Sequence, residues 1–486
     1  MNLPPSIVLV TVDCLRADHC GFLGYDRPTT PFLDSLAEES LVFRNAVAAG
    51  APTYYAFPAI MASRFPLALG RDVAGLAPGE GTLPLALNGA GYKTAAFLAG
   101  NPYLSRRYGY DSGFDEFEDY LKEQLAPTSP PRPADETWRS RFNQRVRSTC
   151  QRFGPARRIY DEFNFRHHMR GAGRTTASFD QLRRYPAANV VVDRARQWLG
   201  SIGRQPFFLW LHLMDPHGPY LPPAEALAMM GQPQFPPARA HFLNEFWAWP
   251  ELSERRLLRH REEVVLLYDA GIRWVDAQMA VLVDALRQSG AWQNCVFAFT
   301  ADHGEEFLEH GNISHYPKLT EELIHVPLVL HGPSVRAARA ETPFSLVHLA
   351  PTLLDAAGLP APETFRGISH WTRLDDEQSW KSPAISECIW RNPFWTKLPP
   401  TERTLALRES NFKLVLDFRR GTEETFDLAA DPRELHSLPL DAQKPLRRRL
   451  LEQAQLHLAD STAAADPGLR LSASIRELRM KYAALN

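Results

Sequence analysis

Three short stretches of the 486-residue chain place carboxylates and imidazoles at the ends of apolar, β-branched or aromatic runs. The run 6–12 ends at Asp13. The run 206–213 carries His212 and continues into Met214-Asp215-Pro216-His217. The run 296–300 leads into Asp302-His303-Gly304-Glu305. In an open α/β sheet, ligands bind beyond the carboxyl ends of the strands. Carboxylates and imidazoles converging from separate strand ends suit a divalent cation. Singly, each signal is weak. An aspartate at a strand end is more often a turn or cap residue, and a lone histidine more often a satisfied residue at the edge of the core. Three in corresponding places point to a metal site.

The elements that must position these residues are legible in outline. The run 6–12 is rich in β-branched residues and reads as a strand buried on both faces. Runs 93–99, 206–213, 296–300 and 326–330 supply further strands. Thr30-Pro31 opens a helix, with the threonine as cap and the proline at the first position. Helical patterns also cover 189–199, 262–289 (with Gly290 as its stop) and 346–357. This alternation predicts an α/β/α sandwich around a large mixed, mostly parallel sheet. After about residue 375 the pattern changes. Runs 384–389, 404–408, 413–417 and 425–428, with Asn411 and Gly421 at turns, predict a small antiparallel sheet closed by a helix over 442–459. The expected division is a catalytic domain at 1–375 and a C-terminal subdomain at 376–486. No internal repeat is visible.

Composition narrows the function classes. A 44% hydrophobic and 23% charged chain is globular, not disordered. A net charge of −2 creates no global field for nucleic acid. Five irregularly spaced cysteines without a C-x-x-C pair exclude a disulfide scaffold and a zinc ribbon. No apolar run approaches the roughly 20 residues that span a bilayer, and the N-terminus shows no signal peptide, so a cytoplasmic location is expected. One insertion, about 125–185, is unusual: 132–185 holds thirteen arginines against five acids. Within it Trp138, Phe142, Val146, Cys150 and Phe153 recur at helical spacing. Such a basic amphipathic helix suits peripheral contact with an anionic membrane or a polyanionic substrate. The plainer expectation is that its apolar stripe packs on the main domain.

The motifs in order resemble the sulfatase family of the alkaline phosphatase superfamily. Thr11-Val12-Asp13-Cys14-Leu15-Arg16-Ala17-Asp18-His19, then Gly24-Tyr25, then Thr29-Thr30-Pro31-Phe32-Leu33-Asp34, resemble the family's opening. Gly91-Tyr92-Lys93-Thr94 resembles its next block. Met214-Asp215-Pro216-His217-Gly218 resembles its central histidine motif, and Thr300-Ala301-Asp302-His303-Gly304-Glu305 its second metal motif. Arg408 to Leu416 and Phe426-Asp427-Leu428 resemble its C-terminal sheet. The resemblance implies a hydrolase of sulfate or phosphate esters, with Asp13, Asp302 and His303 holding a divalent metal. That metal is calcium by resemblance, with Mn2+ or Zn2+ as alternatives. It also implies that His217 contacts the transferred group or protonates the leaving oxygen. His315 falls where many members carry a sulfate-binding lysine, and Lys318 is a nearby substitute for that lysine.

The pattern breaks at the nucleophile. Formylglycine sulfatases carry Cys (or Ser)-x-Pro-x-Arg; here the aligned stretch is Thr53-Tyr54-Tyr55-Ala56-Phe57. No formylglycine is expected. Thr53 takes the position, either as a metal-bound nucleophile, as in threonine-using phosphodiesterases and phosphotransferases of the superfamily, or only as a helix cap. Cys14 stands where a second aspartate is usual, leaving Asp13, Thr53, Asp302 and His303 as one metal set. Asp215, His217 and His315 are candidates for a second. Asn101, Arg16 and Arg64 are candidate anion contacts; His310 and His325 read as structural. The expected substrate is an anionic ester, glycan or lipid-linked. The alternatives are a phosphotransferase and a degenerate anion-binding protein. Neither the oligomeric state nor the number of metals follows from the sequence.

Overall fold

The computed structural model describes residues 3–68, 75–77, 79–121, 154–249, 252–380, 382–389 and 403–463. The main sheet uses β1 (Ser6–Val12), β2 (Leu41–Val47), β3 (Lys93–Leu98), β4 (Glu116–Glu118), β5 (Phe207–Leu213) and β6 (Cys295–Ala301). The hairpin strands β7 (Glu306–Phe307) and β8 (Ile313–Ser314) lie apart. After them come β9 (His325–His331), β10 (Ala338–Ala340) and β11 (Phe344–Ser345). The order is β10-β2-β9-β6-β1-β5-β3-β4, with β11 also on β2. Only β9 runs antiparallel to its neighbours.

Sequence chemistry accounts for this arrangement. All seven residues of β1, β5 and β6 are buried. Strands covered by helices on both faces must be apolar throughout, which is why these runs do not alternate. The helices Ala188–Ser201 and Arg261–Gln288 pack against each other over the sheet. Strand β2 was not foreseen, because Arg44 and Asn45 interrupt its apolar pattern where β2 passes a bulge against β9.

Helix α1 (Pro31–Ala37) begins where expected, but Thr30 does not cap it through its side chain. The Thr30 hydroxyl donates to Asp34 and accepts from Gly21 N–H. The cap comes from a distant helix: Asp276 accepts from the amides of Phe32 and Leu33 at 3.1 and 2.8 Å. A carboxylate at that end also complements the helix dipole.

The C-terminal sheet is an antiparallel meander of β12 (Ala384–Ile389), β13 (Arg403–Glu409), β14 (Phe412–Asp417) and β15 (Thr422–Asp427). Leu405, Leu407, Leu414 and Leu416 pack on Leu450, Ala454 and Leu458 of the helix Lys444–Ala463. Buried ions tie this sheet to the main one. Lys413 meets Glu321 at 3.0 Å and Glu434 at 2.7 Å, and Arg408 meets Glu321 at 2.6 Å.

Residues 138–153, where the basic amphipathic helix is expected, lie outside the described residues. The described part of the insertion includes a helix, Gly154–Ala172, whose Phe165 and Met169 are buried in the main core. That contact fastens this helix, and not the expected stripe at 138–153, to the domain. Among the described residues, no helix is long and apolar enough to cross a membrane.

Candidate active site

Sheet register brings the carboxylates together. Val12 pairs with Ala301 on one side and Leu213 on the other, so Asp13 and Asp302 leave neighbouring strands at the same level. Helix α2 (Thr53–Ala62) starts at that level with all ten residues buried. Pro52, not Thr53, occupies the capping position, so the Thr53 hydroxyl is not spent as a cap. Its Oγ1 lies 3.1 Å from His303 Nε2 and 3.4 Å from Asp13 Oδ2.

Hydrogen bonds set the state of each of these side chains. His303 Nδ1 donates to the Gly304 carbonyl at 2.8 Å. A carbonyl only accepts, so Nε2 carries the lone pair. That nitrogen faces Asp302 Oδ2 at 3.4 Å and Asp13 Oδ1 at 3.7 Å. Asp13 Oδ2 accepts from Asn101 Nδ2 at 2.6 Å and from His212 Nε2 at 3.2 Å. His212 Nδ1 in turn meets the Thr11 hydroxyl at 3.0 Å, which accepts from Trp210 Nε1 at 3.0 Å. Asp302 Oδ1 accepts from the amides of Cys14 and His303.

The electrostatics are those of a cation site. Burial drives Asp302 well above the usual carboxylate range, and the adjacent Asp13 adds to it. Burial also works on Asp13, but His217, His212 and His303 outweigh it and hold it well below its ordinary value. Burial, with His315 beside it, lowers His303 to about 4, keeping its imidazole neutral. Asp302 Oδ2 is buried without a hydrogen-bond partner. A buried carboxyl oxygen with no partner, whose charged form no nearby protein cation stabilises, fits a divalent metal that would supply the missing charge.

A second group lies alongside. One ligand atom each from Cys14, His217 and His315 come within 4.8 Å of one another. Cys14 Sγ is 3.3 Å from His315 Nδ1, which is 3.0 Å from Glu305 Oε2. The His217 and His315 ring centroids are 4.9 Å apart, and Tyr185 stands edge-on to His217 at 5.3 Å.

Several expected residues belong elsewhere. Arg16 is 5% exposed, and its guanidinium is taken by Asp18, Glu309 and the Glu305 carbonyl. It braces the loop behind the site and has no free donor face for a substrate. Lys318 pairs with buried Glu306 at 2.9 Å, so it does not replace the missing lysine. Arg64 is bound by Glu80 and the Gly75 carbonyl. Asp215 accepts from Ala188 N–H at 3.2 Å, and among the described residues Cys14, not Asp215, groups with His217 and His315. Asn101 does reach the site, where it holds Asp13. His310 and His325 are engaged by Glu322 and the Arg44 carbonyl.

Sequence reasoning gave no individual role to three residues that the fold brings here: His212, Cys14 and Glu305. All lie inside stretches already quoted for their metal-capable ends. His212 is one residue inside β5, and only the register with Thr11 shows it aimed along Asp13. Cys14 was counted only as a lost carboxylate.

Comparison with known proteins agrees with this architecture. The sulfatase family model matches residues 5–359, and the model for the C-terminal part of N-sulphoglucosamine sulphohydrolase matches 309–459. The chain is 28% identical to arylsulfatase K of Bos taurus over 286 residues, 51% of this chain and 50% of that protein. It thus spans about half the length of that relative. It is 24% identical to an arylsulfatase of Clostridium perfringens over 476 residues, 90% of each. The crystal structure of the phosphonate monoester hydrolase of Agrobacterium radiobacter matches with a TM-score of 0.65 at 19% identity, covering 94% of this chain and 96% of that one. A structure in complex with its substrate D-glucosamine-2-N,6-O-disulfate matches at 0.65 and 19%, covering 95% and 99%. At these identities the solved structures speak for the fold.

Proposed function

The chain belongs to the sulfatase family, and from that premise we propose a metal-dependent hydrolase of sulfate, phosphate or phosphonate esters with Thr53 as its nucleophile. The observation that carries this reading is the Thr53 hydroxyl, buried at the start of α2 and 3.1 Å from His303 Nε2. A divalent cation held by Asp13, Asp302, His303 and Thr53 supplies the charge that acidifies the hydroxyl and neutralises the ester oxygens. Three oxygen donors and one imidazole suit calcium or manganese.

The chain's own groups do the rest. Thr53 Oγ gives up its proton to solvent as it attacks phosphorus or sulfur, and the bond to the leaving oxygen breaks. The α2 N-terminus favours the negative charge that develops beside it. Asn101 and His212 hold Asp13 in one orientation. His217 and His315 stand at the rim and meet the leaving oxygen. Water then attacks the Thr53 ester, frees the sulfate, phosphate or phosphonate group and restores the hydroxyl.

Threonine at this position favours phosphate or phosphonate esters over sulfate esters. Tyr185 stands edge-on to His217, and the ring of Tyr54, next to Thr53, lies 5.0 Å from that of Tyr103. Such faces suit an aryl group or the apolar side of a sugar.

The test is hydrolysis of aryl sulfate, aryl phosphate, aryl phosphodiester and aryl phosphonate by wild type, Thr53→Ala and Thr53→Ser. Turnover should fall on the order of a thousandfold or more in Thr53→Ala and return in part with serine. Undiminished turnover in Thr53→Ala removes the nucleophile assignment.

A further inference from the structure

The described end of the arginine-rich insertion plays no part in the ester site. Its helix, Gly154–Ala172, packs on the helix Pro237–Trp247 through an apolar seam. In that seam Phe165 stands edge-on to Phe246 at 5.7 Å, and the Arg256 guanidinium lies 4.3 Å over the Phe165 ring. Beside the seam the two segments leave an open groove of about 720 Å³. His167, His168, Arg170 and Arg174 line it from the insertion, and His241 and Glu245 from the other helix.

Charge decides what this groove can hold. Among the described residues Glu245 is its only acid, and His168 Nε2 takes it at 2.7 Å. Nearby arginines are neutralised: Arg166 and Arg256 by Glu162, and Arg239 by Glu263. Arg170 and Arg174 are exposed, and among the described residues no acid or acceptor engages their guanidinium groups. No three side chains of the groove bring ligand atoms within 4.8 Å of one another, so it is not shaped around a metal ion. Unpaired guanidinium groups beside imidazoles suit sulfate or phosphate groups, which a guanidinium grips with two parallel hydrogen bonds. Phe165 and Met169 face the core, so this helix lacks the broad apolar face with which a helix enters a lipid surface.

Both walls run on to the ester site. Asn244, on the same helix as His241, accepts from Tyr220 N–H at 2.6 Å and donates to the Tyr220 carbonyl at 2.9 Å, which holds the loop that carries His217. At the far end of the insertion, Arg183 Nε donates to the Leu221 carbonyl at 3.1 Å, and Tyr185 stands edge-on to His217. We propose that the groove is a second anion subsite, taking sulfate or phosphate groups of a polyanionic glycan through Arg170 and Arg174. That this glycan is also the substrate rests on the ester hydrolysis proposed above; the anion chemistry of the groove does not. A chain held at both places gains affinity from the linkage between its two anions, so the groove acts on binding and leaves the chemical step alone.

The test is calorimetric titration of the full chain with a heparin hexasaccharide as the sulfated probe. The proteins are wild type, Thr53→Ala, Arg166→Ala and the double change Arg170→Ala with Arg174→Ala. Affinity should fall on the order of tenfold in the double variant. It should change little in Arg166→Ala, whose guanidinium is already paired, and not at all in Thr53→Ala. Added salt should narrow the gap between wild type and the double variant. Aryl ester turnover should be the same in those two proteins. Equal affinity in wild type and the double variant overturns the subsite, as does equal binding of an unsulfated dextran of the same length. A loss seen only with phosphatidylserine vesicles also overturns it and makes the groove a membrane contact. Absence of ester turnover in wild type, with the affinity gap intact, would instead count against the hydrolase reading and leave the anion subsite standing.

Discussion

The Thr53 hydroxyl and His303 Nε2 stand 3.1 Å apart, and the His303 nitrogen facing that hydroxyl is the one without a proton. The relationship is built from distant parts of the chain. Gly304 supplies the carbonyl that fixes the tautomer, β6 supplies the level, and α2 begins at that level from the other side. The same device operates on Asp13, whose Oδ2 is held by Asn101 and His212. Asp13 and His303 are therefore each held in one orientation by neighbouring groups, which is how a site gains fixed geometry without mobile parts.

Asn101 is the cleanest test of that arrangement. It donates to Asp13 at 2.6 Å and accepts from Tyr103 N–H at 2.9 Å. In Asn101→Ala, affinity for added Mn2+ or Ca2+ should weaken by about 10–100-fold, the usual effect of losing an outer partner of a metal ligand. Calorimetric titration of the metal-free protein reads it directly. Equal affinity in the two proteins would reduce Asn101 to a brace for its own loop.

Much of this was readable before any coordinates. Buried parallel strands announce themselves as unbroken apolar runs, and their C-terminal residues mark where a ligand sits. That is why Asp13, Asp302 and His303 could be singled out as candidates, and the fold does set them side by side. The side-chain partners were harder. Arg16 and Lys318 looked like anion contacts because a sequence does not show which buried acids a cation will meet. In the fold they are neutralised by Asp18, Glu309 and Glu306. His212 and Cys14 depend on inter-strand register and on a left-handed backbone, and neither leaves a periodic trace. Thr30 was read as a cap on local grounds, while the fold caps α1 from Asp276, 244 residues away from Phe32.

Lys413 joins the small sheet to the main domain through two buried acids, Glu321 and Glu434. The ammonium is fully buried, and Glu321 also holds Arg408. Lys413→Met keeps the stem but leaves buried carboxylates short of a partner. A loss of about 3–5 kcal/mol is expected, read as a lower urea midpoint. The double change Lys413→Met with Glu434→Gln should recover part of it. A single variant as stable as wild type would show that the ion cluster does not fasten the two sheets.

Acid stability should depend on His348. Burial, helped by the adjacent His370, lowers it to about 3. Its Nδ1 accepts from Ile368 N–H at 3.0 Å, which requires the neutral ring. An unfolded histidine titrates near 6.5. Below that pH the unfolded chain takes up a proton that the folded chain refuses until about pH 3, so stability falls through this window as pH drops. For one such group the steepest slope is about 1.4 kcal/mol per pH unit. His348→Gln keeps an acceptor for Ile368 and should flatten the profile. Urea midpoints collected from neutral to mildly acid pH decide it, and parallel profiles for the two proteins would place the acid sensitivity elsewhere.

Gly304 is a glycine because of what lies against it. A methyl group there would stand 2.0 Å from the Glu322 carbonyl oxygen and 3.0 Å from Arg16 Cγ. Neither neighbour yields easily. Gly304 N–H donates to the Leu323 carbonyl at 2.9 Å and Glu305 N–H to the Glu322 carbonyl at 3.1 Å, so the two segments are laced together. Gly304→Ala should therefore destabilise by about 1–3 kcal/mol. It should also weaken metal binding, because the Gly304 carbonyl sets the His303 ring. Gly200, inside the helix Ala188–Ser201, has nothing within 4 Å of the same methyl position. Gly200→Ala should stabilise by roughly 0.5–1 kcal/mol. The pair of variants separates a steric role from general glycine flexibility. If both shift the urea midpoint upward, close approach to Glu322 is not what requires glycine at 304.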